Sequence, residues 1–341
     1  AVKAASPENT GATFLGNLAH VAALQGHLDV AERRHREVGR IFHELDRPGK
    51  EALQLEELAT TLWLLGRADE AREAIERSIA LARRHGEASA IAQYLYTQAR
   101  FLVEAGTSAG VEERAAEIER LTSTTGLNLG LAQADDLRGR LLLLAGKFAE
   151  GTARLEESLR WLREAGAEDG FAEVQLTLAE GRIAAADLTG AERWVEQAMA
   201  PLRGAGERIE LTEAEVLLAR IEILSGRRNA GRSRLARSAP VAEHAQHVDL
   251  RQSFLLGRAL LERADGRLAD ASKTLTEARS QALASGRRTR AAEIEIELAE
   301  LALASGRREA GRAALDRLAR ETAAAGWEAI AERARSRARS G

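Results

Sequence analysis

Cysteine is absent from this 341-residue sequence, proline occurs only four times, and aromatic residues make up 4% of it. The lack of cysteine excludes disulfide bonds, thiolate nucleophiles and thiolate metal sites, and it favours a reducing compartment. No apolar run approaches the roughly 18 residues of a membrane span, and no secretory signal pattern opens the chain. We therefore expect a cytoplasmic protein that does not associate with membranes.

Charged residues make up 30% of the chain and apolar residues 45%, with an excess of the helix formers Ala, Leu, Glu and Arg. The formal net charge of −3 conceals a difference between two parts of the chain. Residues 1–225 contain 26 basic and 37 acidic side chains, whereas residues 226–341 contain 23 and 15. The composition predicts a helical protein that is acidic in its first part and basic in its last.

Glycine recurs with a period of about 40 residues, a spacing typical of repeat architectures. One series consists of Gly26, Gly66, Gly106, Gly146, Gly226, Gly266 and Gly306, with Ala186 at the remaining position. A second series lies midway between the members of the first, at Gly86, Gly126, Gly166, Gly206, Gly286 and Gly326, with Asp46 and Gln246 at the remaining positions. Glycine adopts the left-handed conformation that closes the last turn of a helix, so these positions predict helix ends.

Between these turns lie stretches of about 17 residues with apolar side chains on one helical face, such as Leu55, Leu58 and Leu62. Small residues recur seven positions before the first glycine of each unit, as at Ala59 and Ala99, where helices must approach closely. The sequence thus predicts an all-α solenoid of eight helix–turn–helix repeats, each with a first helix A and a second helix B. The predicted repeats are 7–46, 47–86, 87–126, 127–166, 167–206, 207–246, 247–286 and 287–326, followed by a capping helix over 328–340.

The segment from Leu65 to Ala71, which reads Leu-Gly-Arg-Ala-Asp-Glu-Ala, resembles the turn of the tetratricopeptide repeat family. The small positions of helices A and B correspond to small positions of that family as well. The usual repeat of the family has about 34 residues and often ends in proline, whereas the units here are longer and lack that proline. The resemblance implies a right-handed superhelix whose concave surface is formed by the A helices, and a role in ligand or protein recognition.

Repeats 5 and 6 depart from the pattern. Ala186 replaces a turn glycine, Pro201 and Pro240 fall within two successive B helices, and Gln246 replaces a second turn glycine. A proline inside a helix removes one backbone hydrogen bond and clashes with the preceding turn. These features predict a flexible point at 240–248, with a merely shortened helix as the alternative interpretation.

The sequence contains no phosphate-binding glycine motif and no segment that reads as a β-strand, which argues against the nucleotide-binding folds. Of seven histidines, only His244 and His247, together with Asp249, have a spacing suited to metal ligands, and no further ligand from elsewhere is indicated. Adjacent carboxylates such as Asp135 and Asp136 do not face one another on a helix, so they are poor acid–base partners. We therefore expect no enzymatic activity, no cofactor and no metal site.

Binding residues are expected on the concave surface, where side chains are released from packing and vary between repeats. The positions thirteen, ten and six residues before the first glycine of each unit meet this description. In the middle of the array they combine a tyrosine, arginines, amides and carboxylates, which suit a peptide or an anionic molecule. The candidate site consists of Gln93, Tyr96, Arg100, Gln133, Asp136, Arg140, Glu180 and Arg220. As an alternative, Arg100 and Arg140 merely pair with neighbouring carboxylates.

The long repeat is similar to the sensor regions of bacterial regulators, such as the sugar-responsive maltose activator and peptide-responsive phosphatases. The sequence favours a non-catalytic scaffold or sensor module of an intracellular bacterial signalling protein, which binds a protein, a peptide or another domain of its parent chain. One alternative is a sensor domain of a transcription regulator that binds a small anionic molecule or a sugar, which a closed, aromatic-lined pocket near Tyr94, Tyr96 and Phe101 would favour. Nucleic-acid binding through the basic last repeats is less favoured, because acidic residues such as Glu293 and Glu300 are interleaved there.

Overall fold

The computed structural model describes residues 7–123, 128–167, 170–205 and 208–340, which form seventeen α-helices and no β-strand. In chain order the helices are α1 (Pro7–Leu24), α2 (Leu28–Glu44), α3 (Pro48–Leu64), α4 (Ala68–His85), α5 (Ala88–Glu104), α6 (Val111–Thr122), α7 (Leu129–Leu144), α8 (Phe148–Glu164), α9 (Phe171–Ala184), α10 (Leu188–Ala205), α11 (Arg208–Leu224), α12 (Arg228–Ala242), α13 (Val248–Ala264), α14 (Leu268–Ala284), α15 (Arg288–Ala304), α16 (Arg308–Ala324) and α17 (Glu328–Ser340). None of these helices is both long and apolar enough to cross a membrane. The predicted all-α solenoid is confirmed, whereas its division into repeats at particular residues stays a prediction. Odd-numbered helices are termed A-type and even-numbered helices B-type.

Helix ends coincide with left-handed residues of the two glycine series. After α3, Gly66 has a φ of 79°; its amide donates to the carbonyl of Trp63 and the amide of Arg67 donates to that of Leu62, both at 2.9 Å. These bonds satisfy two carbonyls that have no partner within the helix. Asp46 and Ala186 adopt the same conformation without being glycine, with φ values of 52° and 62°. The turns predicted at 126 and 206 lie outside the described residues.

Each A-type helix packs against the following B-type helix through the small positions. Ala59, Ala99 and Ala219 are completely buried. At Gly139, an added Cβ would lie 2.7 Å from the side chain of Leu155 on α8. A larger side chain at these positions would separate the helices, whose axes pack about 8–10 Å apart.

The stacked helix pairs curve so that the A-type helices lie inside. Neighbouring A-type helices contact one another directly; for example, α5 contacts α7, and α11 contacts α13. B-type helices mainly contact the helices that precede and follow them in the chain. Because the A-type helices are more closely spaced, the stack bends towards them. They therefore form the inner face of a superhelix, and the B-type helices form its outer face.

The superhelix closes on itself. The turns that follow α1, α3, α5 and α7 meet residues near the beginnings of α11, α13, α15 and α17. The neighbours are Gly26 and Ile209, Gly66 and both Val248 and Ser285, Gly106 and both Thr289 and Trp327, and Gly146 and Ala329. We term this closure the seam. Hydrogen-bonded partners across it are 185 to 224 residues apart in the sequence.

Arg287 makes the most extensive of the contacts across the seam. Its Nη2 donates to the carbonyl of Trp63 at 3.0 Å, and its guanidinium carbon lies 3.9 Å from the centre of the Trp63 ring system. Its Nε and Nη2 also donate to the two carboxylate oxygens of Asp249, both at 2.8 Å. A positive group at the C-terminal end of α3 is favoured by the helix dipole as well. Trp327 acts similarly, because its Nε1 donates to the carbonyl of Gly106 at 2.7 Å.

The stretch 240–248, predicted to be flexible, contributes to the seam. Helix α12 continues through Pro240 and ends two residues later, at Ala242. Beyond it, Gln246 accepts a hydrogen bond from the amide of Asp29 at 3.0 Å and donates one to the Asp29 carboxylate at 3.1 Å. The helix is thus short and the loop after it is held by the first repeat, and flexibility at this point stays a prediction.

We expect Ala186→Gly to stabilise the protein by about 1 kcal/mol, because glycine adopts a φ of 62° without the steric cost that alanine has there. The preceding residue, Ala185, is equally exposed and has a φ of −80°. Ala185→Gly should therefore destabilise the protein, by about 0.5 kcal/mol. The measurement is the free energy of unfolding in urea, and equal effects of the two substitutions would contradict this explanation.

Removal of the Arg287 side chain should weaken the seam. Arg287→Ala deletes the ion pair with Asp249 and the contacts with Trp63, and we expect a loss of about 3 kcal/mol in the free energy of unfolding. We also expect a larger radius of gyration in small-angle X-ray scattering as the superhelix opens. The control is Arg288→Ala, which truncates the exposed arginine next to it. An unchanged scattering profile for Arg287→Ala would show that Arg287 does not hold the seam closed.

Candidate binding surface on the inner face

Two hydrogen bonds join α5 to α7 at equivalent positions of successive A-type helices. Nε2 of Gln133 donates to Oε1 of Gln93 at 2.7 Å, and the hydroxyl of Tyr96 donates to Oδ2 of Asp136 at 3.0 Å. Burial, reinforced by the carboxylate of Asp136, raises the pKa of Tyr96 well above its ordinary value, so the hydroxyl keeps its proton. The Tyr96 ring centre also lies 5.8 Å from the guanidinium carbon of Arg100.

Arg100 and Arg140 share one carboxylate, that of Glu173 on α9. Arg100 approaches its two oxygens at 2.9 and 2.8 Å, and Nη2 of Arg140 donates to one of them at 3.0 Å. Arg140 also donates from Nε to both oxygens of Asp136, at 2.9 and 2.8 Å. Nη2 of Arg100 reaches Glu104 at 3.3 Å. The two arginines are therefore paired with neighbouring carboxylates, as the alternative interpretation of the sequence expects.

A second group of charges spans the inside of the superhelix. Arg290 on α15 donates to Glu180 on α9 at 2.7 Å, although these residues are 110 positions apart, and to Glu293 at 3.0 Å. Glu180 and Glu173 nevertheless expose 45% and 44% of their side-chain surface. The ion-pair partners of Glu173 and Glu180 lie on helices on different sides of the inner face. The exposed surface of these two glutamates therefore faces the interior of the superhelix. The inner face therefore lines a space that solvent can enter.

Arg220 on α11 is nearly buried, with 6% of its surface exposed. Its Nη1 donates to the hydroxyl of Ser253 at 3.2 Å, and an oxygen of Glu180 lies 3.8 Å from the same nitrogen. Its Nε has no hydrogen-bond partner among the described residues. Burial and the positive charge of Arg290 lower the pKa of Arg220 to about 10. A buried guanidinium with an unused donor is suited to holding an anionic group.

Glu213, also on α11, has an unusual proton affinity. Burial, reinforced by the carboxylates of Asp249 and Glu180, raises its pKa to about 8. Its Oε1 lies 3.4 Å from Nδ1 of His247, and that nitrogen accepts a hydrogen bond from the amide of Leu250 at 3.3 Å. Burial lowers the pKa of His247, which favours a neutral ring beside Glu213. Near neutral pH, Glu213 is therefore a mainly protonated carboxyl on the inner face.

All eight predicted site residues lie on α5, α7, α9 and α11, four consecutive A-type helices. That they bind a partner stays a prediction. Sequence reasoning missed Glu173, which links Arg100 to Arg140, and Arg290, which links α15 to α9. Glu173 stands at one of the three variable positions, thirteen residues before a turn, and could have been found there. Arg290 stands at none of them, so no repeat signal points to it.

One expectation about side-chain exposure was wrong, and the aromatic pocket that would favour a small-molecule sensor is not formed by the residues considered for it. The position ten residues before the turn is not released from packing, because neighbouring A-type helices contact one another there. Its buried residues are Gly16, Glu56, Asp136, Val216, Leu256 and Ile296. Tyr94 and Phe101 do not line an aromatic pocket, since both are core residues and Phe101 stacks on Trp63 with 4.4 Å between ring centres.

Of the features considered for metal and nucleic-acid binding, His247 has a structural role and Arg263 has partners. His247 caps the start of α13, while His244 is exposed. Within the described ranges, no group of three or more His, Asp or Glu side chains is placed to hold a metal ion. In the basic last repeats, Arg263 pairs with Glu297 at 2.8 Å and with Glu300 at 2.6 Å.

Comparison with protein-family models found no match, and comparison with curated proteins found no relative. Among solved structures, the chain is similar to aspartyl phosphate phosphatase F from Bacillus subtilis, with 9% identity over 93% of this chain and 95% of that one and a TM-score of 0.60. It is also similar to a Rap protein complexed with Competence and Sporulation Factor, with 13% identity over 86% and 98% of the two chains and a TM-score of 0.53. At these identities the likeness shows a shared fold, an all-α solenoid of helical repeats.

The raised pKa of Glu213 predicts a pH dependence of stability. The pKa of Glu213 is about 8 in the folded protein, against an ordinary value of 4.5. The stabilising contribution of Glu213 to the free energy of unfolding is therefore complete below pH 4.5 and is lost as the pH rises through 8. Glu213→Gln keeps a neutral side chain of the same shape. We expect this variant to be several kcal/mol more stable than the wild type at pH 9, since each unit between the two pKa values corresponds to about 1.4 kcal/mol, and to match it at pH 4.

The measurement is the free energy of urea unfolding at the two pH values, and the control is Glu215→Gln, the same chemical change two residues away on α11. A difference between Glu213→Gln and the wild type that is the same at both pH values would show that the charge of Glu213 is not its source.

Proposed function

We propose that this chain is a non-catalytic binding module that holds a peptide, or an extended segment of a protein partner, on the inner face of its superhelix. One observation carries the proposal: charged and polar side chains of four successive A-type helices lie on the inner face, where Glu173 and Glu180 expose 44% and 45% of their side-chain surface. Concave surfaces of this kind are the binding surfaces of repeat proteins. The residues proposed to contact the partner are Gln93, Tyr96, Arg100, Gln133, Asp136, Arg140, Glu180 and Arg220.

The ion pairs of the inner face indicate how such a partner is recognised. A carboxylate of the partner can replace Glu173 between Arg100 and Arg140, because both guanidinium groups offer forked donors. A basic side chain of the partner can then pair with the released Glu173, or with Glu180. Binding exchanges one set of ion pairs for another, so the partner's charge pattern determines specificity more than its apolar area does.

The cellular context in this proposal follows from the sequence. Similarity of the long repeat to bacterial sensor regions supports a module of a cytoplasmic signalling or regulatory protein, in which the partner can also be another domain of the parent chain. The Rap protein that shares the fold is complexed with Competence and Sporulation Factor, which supports a binding role for such a superhelix. We further propose that the eight repeats act together as one solenoid.

A second candidate function is the binding of a small anionic molecule, and the surroundings of Arg220 favour it. Its guanidinium is nearly buried and keeps an unused donor, with Ser253 and Arg290 nearby. A carboxylate or phosphate at this point would receive a charge-assisted hydrogen bond and would relieve the repulsion between the two arginines.

The test selects random peptides displayed on phage against the wild-type chain and measures the affinities of the selected peptides by calorimetry. We expect Arg140→Gln to weaken these peptides at least tenfold, because a hydrogen bond to a charged group contributes about 1.5–3 kcal/mol. The matched control is Arg160→Gln on the outer face of α8, where the arginine is also paired, with Glu157 and Glu164. Circular dichroism verifies that all variants keep their helicity.

Peptides that bind Arg140→Gln and Arg220→Gln as tightly as the wild type would place the binding surface elsewhere. Failure to select any peptide would contradict the first candidate function. In that case, inorganic phosphate and dicarboxylates test the second. Stabilisation of the wild type but not of Arg220→Gln in thermal unfolding is the expected result for an anion site at Arg220.

A further inference from the structure

Glu104, the last residue of α5, connects the seam to the candidate binding surface. One of its carboxylate oxygens, Oε2, accepts a hydrogen bond from Nε1 of Trp63 at 2.5 Å. The other, Oε1, lies 3.3 Å from Nη2 of Arg100, which is among the residues proposed to contact the partner. The backbone carbonyl of Glu104 accepts from the hydroxyl of Thr289 on α15, across the seam, at 3.3 Å. Glu104 therefore contacts α3 and α15 as well as Arg100 on its own helix.

Trp63 is the member of this group that the seam holds most directly. Its ring contacts Phe101, with 4.4 Å between ring centres, and Arg287, whose guanidinium carbon lies 3.9 Å from the ring centre. Arg287 is itself paired with both carboxylate oxygens of Asp249 on α13. The direction in which Trp63 presents its indole N–H to Glu104 is thus fixed in part by Arg287, which is 224 positions away in the sequence.

Arg100 has few other partners. Its guanidinium is paired with Glu173 on α9, at 2.9 and 2.8 Å, and its Nε has no hydrogen-bond partner among the described residues. A carboxylate of the partner that replaces Glu173 would remove this pairing. Glu104 would then be the side chain that keeps the guanidinium in place. Since a group that is already ordered loses less conformational freedom on binding, this restraint increases affinity.

We propose that Glu104 makes recognition of a partner at Arg100 depend on closure of the seam, an inference that rests on the peptide-binding function proposed above. With the seam closed, Trp63 and Thr289 hold Glu104, and Glu104 orients the guanidinium of Arg100. With the seam open, Trp63 loses its contacts with Arg287, and Glu104 loses its bond from Thr289. The guanidinium is then no longer ordered in advance for a carboxylate of the partner. Binding and closure therefore stabilise each other, as thermodynamic linkage requires.

A double-mutant cycle tests the link without any partner. Trp63→Phe removes the indole N–H but keeps an aromatic ring against Phe101, and Arg100→Gln removes the guanidinium. In urea unfolding, we expect the equilibrium constant of the double variant to differ by roughly threefold or more from the product of the two single effects. The same cycle in a Glu104→Ala background should show no such difference. In the control cycle, Trp327→Phe replaces Trp63→Phe, and the effects should multiply.

Peptides selected on the wild-type chain test whether the link affects recognition. We expect Trp63→Phe to raise their dissociation constants about fivefold or more. Glu104→Asp should have a similar effect, because it keeps the charge but shortens the side chain, so that its carboxylate cannot bridge Trp63 and Arg100. The matched control is Trp327→Phe, which removes another indole hydrogen bond of the seam, to the carbonyl of Gly106, and should leave the affinity unchanged. Circular dichroism verifies that each variant is folded.

Several results would overturn the proposal. Effects of Trp63→Phe and Arg100→Gln that simply multiply would show that Glu104 transmits nothing between the two side chains. Peptides that bind Trp63→Phe as tightly as the wild type, or Glu104→Asp more tightly, would exclude a positioning role, and the second result would make Glu104 a competitor for the partner's carboxylate. Equal weakening by Trp327→Phe would show that the dependence on closure does not act through Glu104. If no peptide can be selected, the proposed function fails, while the cycle still decides whether Glu104 links the seam to Arg100.

Discussion

The enclosed shape of this solenoid depends on the seam. Repeat arrays ordinarily bury surface only between neighbouring repeats, but here the C-terminal ends of early A-type helices are met by side chains from the last repeats. Arg287 and Trp327 donate to the carbonyls of Trp63 and Gly106. The carbonyl of Trp63 also accepts from the amide of Gly66, so Arg287 adds a second hydrogen bond there, whereas Trp327 bonds a carbonyl just beyond the end of α5. This closure brings α9 within reach of α15 and gives the inner face its enclosed form.

Enclosure explains why the inner face is rich in paired charges. Ion pairs inside a protein recover little more than the free energy lost when the charges leave water, and apolar residues would pack the same surface at least as well. The chain nevertheless places Arg100, Arg140 and Glu173 there, and leaves Arg220 with an unused donor. Packing alone does not require these side chains. Their positions are the basis of the binding role proposed above.

Much of the fold could be predicted from the sequence because its determinants are local. The glycine series marks helix ends through backbone conformation, and even Ala186 adopts the left-handed φ that its place in the series implies. The seam could not be predicted, since Arg287 and Trp63 are 224 residues apart and nothing local encodes the pitch of the superhelix. The same limit applies to the site. The variable positions include Glu173 but not Arg290, whose role arises only when α15 comes to lie beside α9.

The seam also bears on how the chain loses its structure. In an open array the terminal repeats are held from one side only, so they fray first and exchange their amide hydrogens fastest. Here the turn after α1 is held by Gln246, and the start of α17 is held through Trp327. Each end is thus fastened to a distant part of the chain, and releasing either end breaks contacts with long sequence separation. Such contacts form late in folding and at high entropic cost. The seam is therefore expected to protect the terminal repeats against fraying and to form slowly, in a single cooperative step.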